Sequence, residues 1–235
     1  MVSTDSRNVL IFGATGGLAT SLAGDFVSRG WKVDLVSRIS RSLALETCYS
    51  DFLAAGSVRV FTVANSYAEF IADRPYRTYL FTQALFEPKL LVETDAGQIE
   101  REIAVGLTDP IRLTRALLLT HPPVPTERRD FAYIGSTSAY SGFKKTAVYC
   151  AVKHGLLGFV RAMNDEYTDS ETRFWLFSMG TMNTEMGALL VDQEPASFLQ
   201  PEDVARRIVD SLTAPTNLFE PELVMRRRKI RFKAQ

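Results

Sequence analysis

The chain is poor in the residues that hold metals or form covalent cross-links. Its 235 residues include two cysteines and two histidines. Cys48 and Cys150 lie far apart with no paired spacing, which argues against a disulfide framework or a zinc site. His121 and His154 are too few for a histidine metal centre, so no metal is expected. Net charge is missing too, with 27 basic against 27 acidic side chains. No whole-chain field draws the protein to nucleic acid or to a membrane, and neither partner is expected. Long apolar runs are also absent. The first, Val9-Leu10-Ile11-Phe12, stops at Gly13, far short of the roughly 20 residues of a membrane helix. The polar start over 1–8 does not resemble a signal peptide, and a cytoplasmic setting is expected. Without repeats, linkers or low-complexity tracts, residues 1–235 read as one domain.

What the chain does have is an alternation of short apolar runs with longer amphipathic stretches, the pattern of a parallel sheet covered by helices. Strands are expected over 9–12, 32–37, 58–63, 79–82, 131–136 and 173–178. Helices are expected over 18–28, around Leu43 and Leu45, over 98–119 and 146–163, and from Pro201 onward. A short helical link is expected near 68–72. The fold class is α/β, doubly wound and Rossmann-like, with six or seven mainly parallel strands and helices on both faces.

The first strand runs into Phe12-Gly13-Ala14-Thr15-Gly16-Gly17-Leu18-Ala19 and then into a helix. Glycine there permits a tight turn and lets backbone N–H groups reach a pyrophosphate at the helix N-terminus. Gly13, Thr15, Gly16, Gly17 and Leu18 are therefore candidate dinucleotide contacts. The second strand ends in Ser37 and Arg38, where an NAD-preferring site would place a carboxylate. A guanidinium can instead grip the extra 2′-phosphate of NADP(H), with Arg41 sharing or replacing that role. NADP(H) is the expected cofactor.

Ser136 ends the fifth strand, Tyr149 follows thirteen residues later, and Lys153 four residues after that. On one helix, the i,i+4 spacing puts tyrosine and lysine on one face. A phenol is a poor base near neutrality, and a nearby ammonium is expected to lower its pKa. Together with the glycine loop, these residues make the chain resemble the short-chain dehydrogenase/reductase family in its short single-domain branch. The resemblance implies Ser136, Tyr149 and Lys153 as catalytic residues, with Lys153 also holding the nicotinamide ribose. It implies cofactor contacts at Tyr149, Gly180 and Thr184, and a homodimer or homotetramer built on the two long helices. The implied substrate is a small carbonyl compound or the matching alcohol.

Some positions depart from the family. Thr82-Gln83-Ala84-Leu85 replaces Asn-Asn-Ala-Gly, leaving Ala84 as the matching cofactor contact. Asn65 stands where an acid often follows the third strand and offers hydrogen bonds to the adenine. Met179 replaces a proline, and Gly106 replaces an asparagine that relays protons to the lysine. Gly106 either leaves room for a water or the substrate, or marks weakened catalysis. These departures also fit a cofactor-binding regulatory or scaffold protein, while an isomerase or dehydratase using the cofactor transiently is a third reading. Phe86, Pro88, Met182 and Met186 read equally as pocket lining or core. Cys150 and His154 read as structural. The basic run Arg226-Arg227-Arg228-Lys229-Ile230-Arg231-Phe232-Lys233 is either a solvated tail or a contact for nucleic acid, an acidic partner or a neighbouring subunit's phosphorylated ligand.

Overall fold

A computed structural model describes residues 7–64, 67, 70, 72, 74–215 and 218–228. Strand β1 (Asn8–Phe12) is buried along its whole length. Its side chains alternate, Val9 and Ile11 entering one core and Leu10 and Phe12 the other. A strand covered on both faces needs a continuous apolar run rather than a half-polar one, which is why this sequence fits the sheet centre.

The other strands are β2 (Lys32–Arg38), β3 (Val58–Val63), β4 (Thr78–Phe81), β5 (Arg129–Ile134), β6 (Thr172–Met179) and β7 (Glu222–Met225). They form one sheet in the order β3-β2-β1-β4-β5-β6-β7, with every pairing parallel. The expected doubly wound sheet is thus present with seven strands. Helices α1 (Gly17–Ser28) and α7 (Pro201–Thr213) cover one face through Leu22, Phe26, Ile208 and Leu212. Helices α4 (Asp109–Thr120) and α5 (Ala147–Glu166) cover the other through Leu113, Leu117, Leu156 and Val160. Below them a row of stacked rings joins neighbouring strands. Phe12 and Phe81 lie 5.2 Å apart, and Phe81 and Tyr133 4.6 Å. Each such pair contributes about 0.5–1.5 kcal/mol beyond its buried area.

The chain winds outward from β1 to β3 and then returns to place β4 on the other side of β1. This reversal opens a crevice at the C-terminal ends of β1 and β4, the usual ligand position in open α/β sheets. The opposite end of the sheet is closed by paired acids. Asp34 accepts from Arg59 at 2.9 and 2.5 Å, from Arg74 at 2.7 Å and from the Tyr76 hydroxyl at 2.6 Å. Asp130 is fully buried against Arg77, Arg128 and Trp175. These acids serve the scaffold, because all their partners lie away from the crevice.

The uninterrupted helix expected over 98–119 is instead two helices, α3 (Ala96–Ile103) and α4, joined by a π-helical turn at Ala104–Thr108. Pro110, in the first turn of α4, explains the break. It has no N–H for the carbonyl of Gly106, and its ring needs the extra width of a π turn. The helical link expected near 68–72 falls mostly outside the described residues. Gly106 does not open a space for water. A Cβ built there would lie 2.6 Å from Cγ1 of Val152, so a methyl group of α5 already fills the gap.

This contact yields a stability prediction. Gly106→Ala gains about 1 kcal/mol of helix propensity, but Val152 has little rotamer freedom to yield. The variant is expected to lose about 1–3 kcal/mol net from overpacking. Val152→Ala introduced into the same chain should recover part of that loss. Denaturant midpoints for both single variants and the double variant measure the coupling, and an unchanged or higher midpoint for Gly106→Ala contradicts it.

Candidate active site

The crevice is a cleft of about 1320 Å³, larger than the roughly 300–1,000 Å³ of ordinary small-ligand pockets. One wall is the loop after β1. Gly13 has φ +83, and a Cβ there would meet the Gln83 backbone nitrogen at 2.6 Å, so only glycine fits. Helix α1 starts from Gly16, which has no side chain to occupy its first N–H groups. Nothing lies within 4 Å of a Cβ placed at Gly16, and one at Gly17 would meet Thr184 Cγ2 at 3.2 Å. The helix N-terminus therefore faces open space beside Thr184, a cradle suited to a pyrophosphate.

The segment after β4 closes against this loop. The Thr82 hydroxyl donates to the carbonyl oxygens of Phe12 at 2.7 Å and Gly13 at 3.0 Å. Gln83 is buried, yet neither its amide nitrogen nor its amide oxygen has a hydrogen-bond partner. A buried amide lacking partners is costly unless a ligand completes it, and Gln83 lines the cleft. The Arg38 Nε is another buried atom without a partner at the same cleft. The orphaned groups and the open cradle fit a dinucleotide, and Arg38 and Arg41 line the same cleft.

The other wall comes from β5 and α5. Ser136 follows β5 and caps a short 3₁₀ turn, its Oγ accepting from the Ser138 N–H at 3.1 Å. Tyr149 and Lys153 lie one turn apart near the start of α5. Lys153 is 1% exposed, and its Nζ donates to the Ile134 carbonyl at 2.7 Å. The same Nζ lies 5.4 Å from the centre of the Tyr149 ring. Phe86 packs edge-on against that ring at 4.8 Å.

Electrostatics here differ from the sequence expectation in one respect. Burial raises the Tyr149 pKa to about 12, a hydrogen bond with Ser136 lowers it in part, and Cys150 and Glu102 raise it further. Desolvation is therefore the largest influence on this phenol. Burial also lowers the Lys153 pKa to about 8, since no carboxylate offsets it. The site holds a neutral phenol next to a mostly protonated amine at neutral pH.

Of the residues expected from sequence, Gly13, Thr15, Gly16, Gly17, Leu18 and Arg38 line the cleft on one side. Ala84, Ser136, Tyr149, Lys153, Gly180 and Thr184 line it elsewhere. The Ser37 side chain is fully buried and is not among the groups that line the cleft. Side chains alternate along β2, so Ser37 and Arg38 point to opposite faces. Asn65 lies outside the described residues. Phe86, Pro88, Met182 and Met186 all reach the cleft. Cys150 receives or donates a contact with Thr146 Oγ1 at 3.2 Å, and His154 Nδ1 meets the Cys150 carbonyl at 2.8 Å, which makes both structural. Sequence reasoning missed Gln83 and Tyr67. Gln83 lies in the segment that replaces Asn-Asn-Ala-Gly, while no motif marks Tyr67, and both line the cleft.

Comparison with known proteins agrees with this fold. The chain is 25% identical over 181 residues to a 3-oxoacyl-[acyl-carrier-protein] reductase of Bos taurus, covering 75% of this chain and 76% of that one. It is 22% identical over 215 residues to carbonyl reductase family member 4 of Xenopus tropicalis, covering 87% and 90%. Among solved structures, an actinorhodin polyketide ketoreductase variant with NADPH superposes with a TM-score of 0.82 at 18% identity, covering 96% and 97%. The closed form of serine dehydrogenase with NADP+ gives 0.80 at 19%, covering 93% and 94%. Residues 7–195 match the family model for short chain dehydrogenases. That span includes the glycine loop, Ser136, Tyr149 and Lys153, and the chain belongs to the short-chain dehydrogenase family.

Proposed function

We propose that the protein is an NADP(H)-dependent oxidoreductase that reduces a carbonyl compound, or oxidises the matching alcohol, with Tyr149 as general acid or base. The observation that carries this reading is the convergence of Tyr149, Ser136 and Lys153 on a cleft whose other wall is an open, uncapped helix N-terminus. When bound, the cofactor supplies hydride in reduction and takes it up in oxidation.

The protein's own groups handle the proton. With a pKa near 12, Tyr149 keeps its proton at neutral pH and is loaded as an acid for reduction. It donates that proton to the substrate oxygen as the carbonyl becomes an alcohol. The Ser136 hydroxyl, which bonds the phenol, is placed to hold the same oxygen. The Lys153 ammonium stabilises the phenolate left behind. In oxidation the same groups run in reverse, and the high pKa of the phenol makes that direction depend on alkaline conditions. Arg38 supports NADP(H) over NAD(H), because its Nε lacks a partner and no acid ends β2.

Glu102 adds a smaller contribution to the limit at high pH, which burial of Tyr149 dominates. It is 3% exposed on α3, accepts from Gln98 Nε2 at 3.2 Å, and its charge raises the Tyr149 pKa.

Tyr149→Phe is expected to lower turnover of carbonyl compounds about 10²–10⁴-fold while NADPH still binds. Retained turnover removes the proposed acid. If the unaltered protein binds NADPH yet oxidises it with no ketone, aldehyde or imine, the regulatory reading replaces this one. Arg38→Gln should raise the KM for NADPH about 10- to 100-fold, as loss of a charge-assisted hydrogen bond implies. The KM for NADH should change little. Equal effects on both cofactors contradict the phosphate role. Glu102→Gln removes a negative charge that raises the phenol pKa. The alkaline limb of the reductive pH profile should then move to lower pH, and a limb that stays in place excludes Glu102 from this role.

A further inference from the structure

The described part of the basic run, 226–228, reaches the active-site cleft, and 229–233 lie outside the described residues. Strand β7 pairs in parallel with β6, with Met179 opposite Met225. The residues after each strand therefore leave the sheet at the same edge, Gly180 after β6 and Arg226 after β7. Arg226, Arg227 and Arg228 all line the cleft. The loop before α5 contributes Lys144 and Lys145 to the same cleft, both exposed.

Arg227 is fixed in place. Its Nη1 donates to Ser197 Oγ at 3.1 Å, and its guanidinium lies 5.6 Å from the Phe198 ring centre. A Cβ added at Gly180 would lie 3.6 Å from Arg227 Cγ, an ordinary packing distance, so the two segments run side by side. Arg226 and Arg228 flank it and are exposed. None of the five cations forms an ion pair among the described residues. Glu185, Asp192 and Glu194 line the same cleft without pairing to them, which leaves positive charge in excess.

This charge is badly placed to serve the cofactor's 2′-phosphate. Arg38 ends β2, five strand positions from β7 in the sheet order. At about 4.8 Å per strand, the two strands stand roughly 24 Å apart. Ser136 follows β5, only two positions from β7, or roughly 10 Å. The arginines thus lie on the reacting side of the cleft.

We infer that Arg226, Arg227 and Arg228, with Lys144 and Lys145 of the same cleft lining, form a subsite for an anionic group carried by the carbonyl substrate. The inference rests on the oxidoreductase reading above. The ligand chemistry is a carboxylate or a phosphate, both of which accept paired hydrogen bonds from a guanidinium. The neighbouring surface is apolar, with Leu189 49% and Val191 86% exposed at the same cleft. A substrate joining an apolar body to an anionic end suits both features.

The test uses a matched series of ketones with the same apolar body, ending in a methyl ester, a carboxylate or a phosphate. With the full-length protein and NADPH, at least one anionic member should exceed the neutral ester at least tenfold in kcat/KM. The preferred member identifies the anion. Raising salt should shrink the preference, since exposed charges are screened. In the Arg226→Gln/Arg228→Gln double variant, the ratio of anionic to neutral kcat/KM should fall at least tenfold. Equal kcat/KM across the series, or a preference unchanged in the double variant, overturns the subsite. Turnover of no member counts against the oxidoreductase reading instead. Calorimetry of the same compounds with the NADP+-saturated protein then still reads the subsite, and binding that ignores the anion overturns it.

Discussion

The hydrogen bond from Lys153 Nζ to the Ile134 carbonyl holds the site together. It ties the second turn of α5 to the last residue of β5, and so fixes Tyr149, on the turn before, against Ser136, two residues after the strand carbonyl. An ammonium has three donors, and this carbonyl takes one among the described residues. The remaining donors are buried, and burial lowers the pKa to about 8. A buried cation with one neutral partner is expensive for stability. It is tolerable where a ligand or a developing negative charge completes it, and that makes the cost itself a reason to look for chemistry at this position.

The same reasoning explains how the chain manages its departures from the family. Thr82 replaces an asparagine, yet its hydroxyl bonds the carbonyls of Phe12 and Gly13 and holds the glycine loop in register. Gln83 then stands with a whole amide buried and unpartnered over the same loop. Val152 fills the space that a side chain at position 106 would have taken. The π turn that carries Gly106 follows from Pro110, and it sits directly between Glu102 and the rest of the long helix pair. Each departure is thus met by a local contact, Thr82 and Gln83 against the glycine loop and Gly106 against α5.

Much of the fold and of the site was legible in the sequence because both depend on local spacing. Continuous apolar runs marked strands buried on both faces, and Gly13 to Gly17 marked the turn at the point where the sheet reverses. Tyr149 and Lys153 could be placed together because four residues make nearly one helical turn. The unread parts depend on tertiary burial. Alternation along β2 sends Ser37 into the core and Arg38 to the cleft, and the face each takes is invisible without the register. The Tyr149 pKa moves up rather than down because desolvation, which no spacing reveals, is the largest influence on it. The break at 104–108 was marked by Pro110, whose effect the helical periodicity on either side concealed.

One topological rule brings most of the site together. All seven strands run the same way, so every residue that follows a strand emerges at the same edge. Gly13 after β1, Arg38 at the end of β2, Gln83 after β4 and Ser136 after β5 meet for that reason. So does the arginine run after β7, which makes its presence at the cleft a consequence of parallel pairing rather than of charge. Tyr149 and Lys153 are the exceptions, since they come from a helix. A loop can lengthen or shift without unfolding the sheet, but proton transfer needs a donor and its stabilising cation at a constant separation. Placing that pair on the inner face of α5, anchored to Ile134, lets the loops around it vary in what they bind while the proposed proton-handling groups keep one geometry.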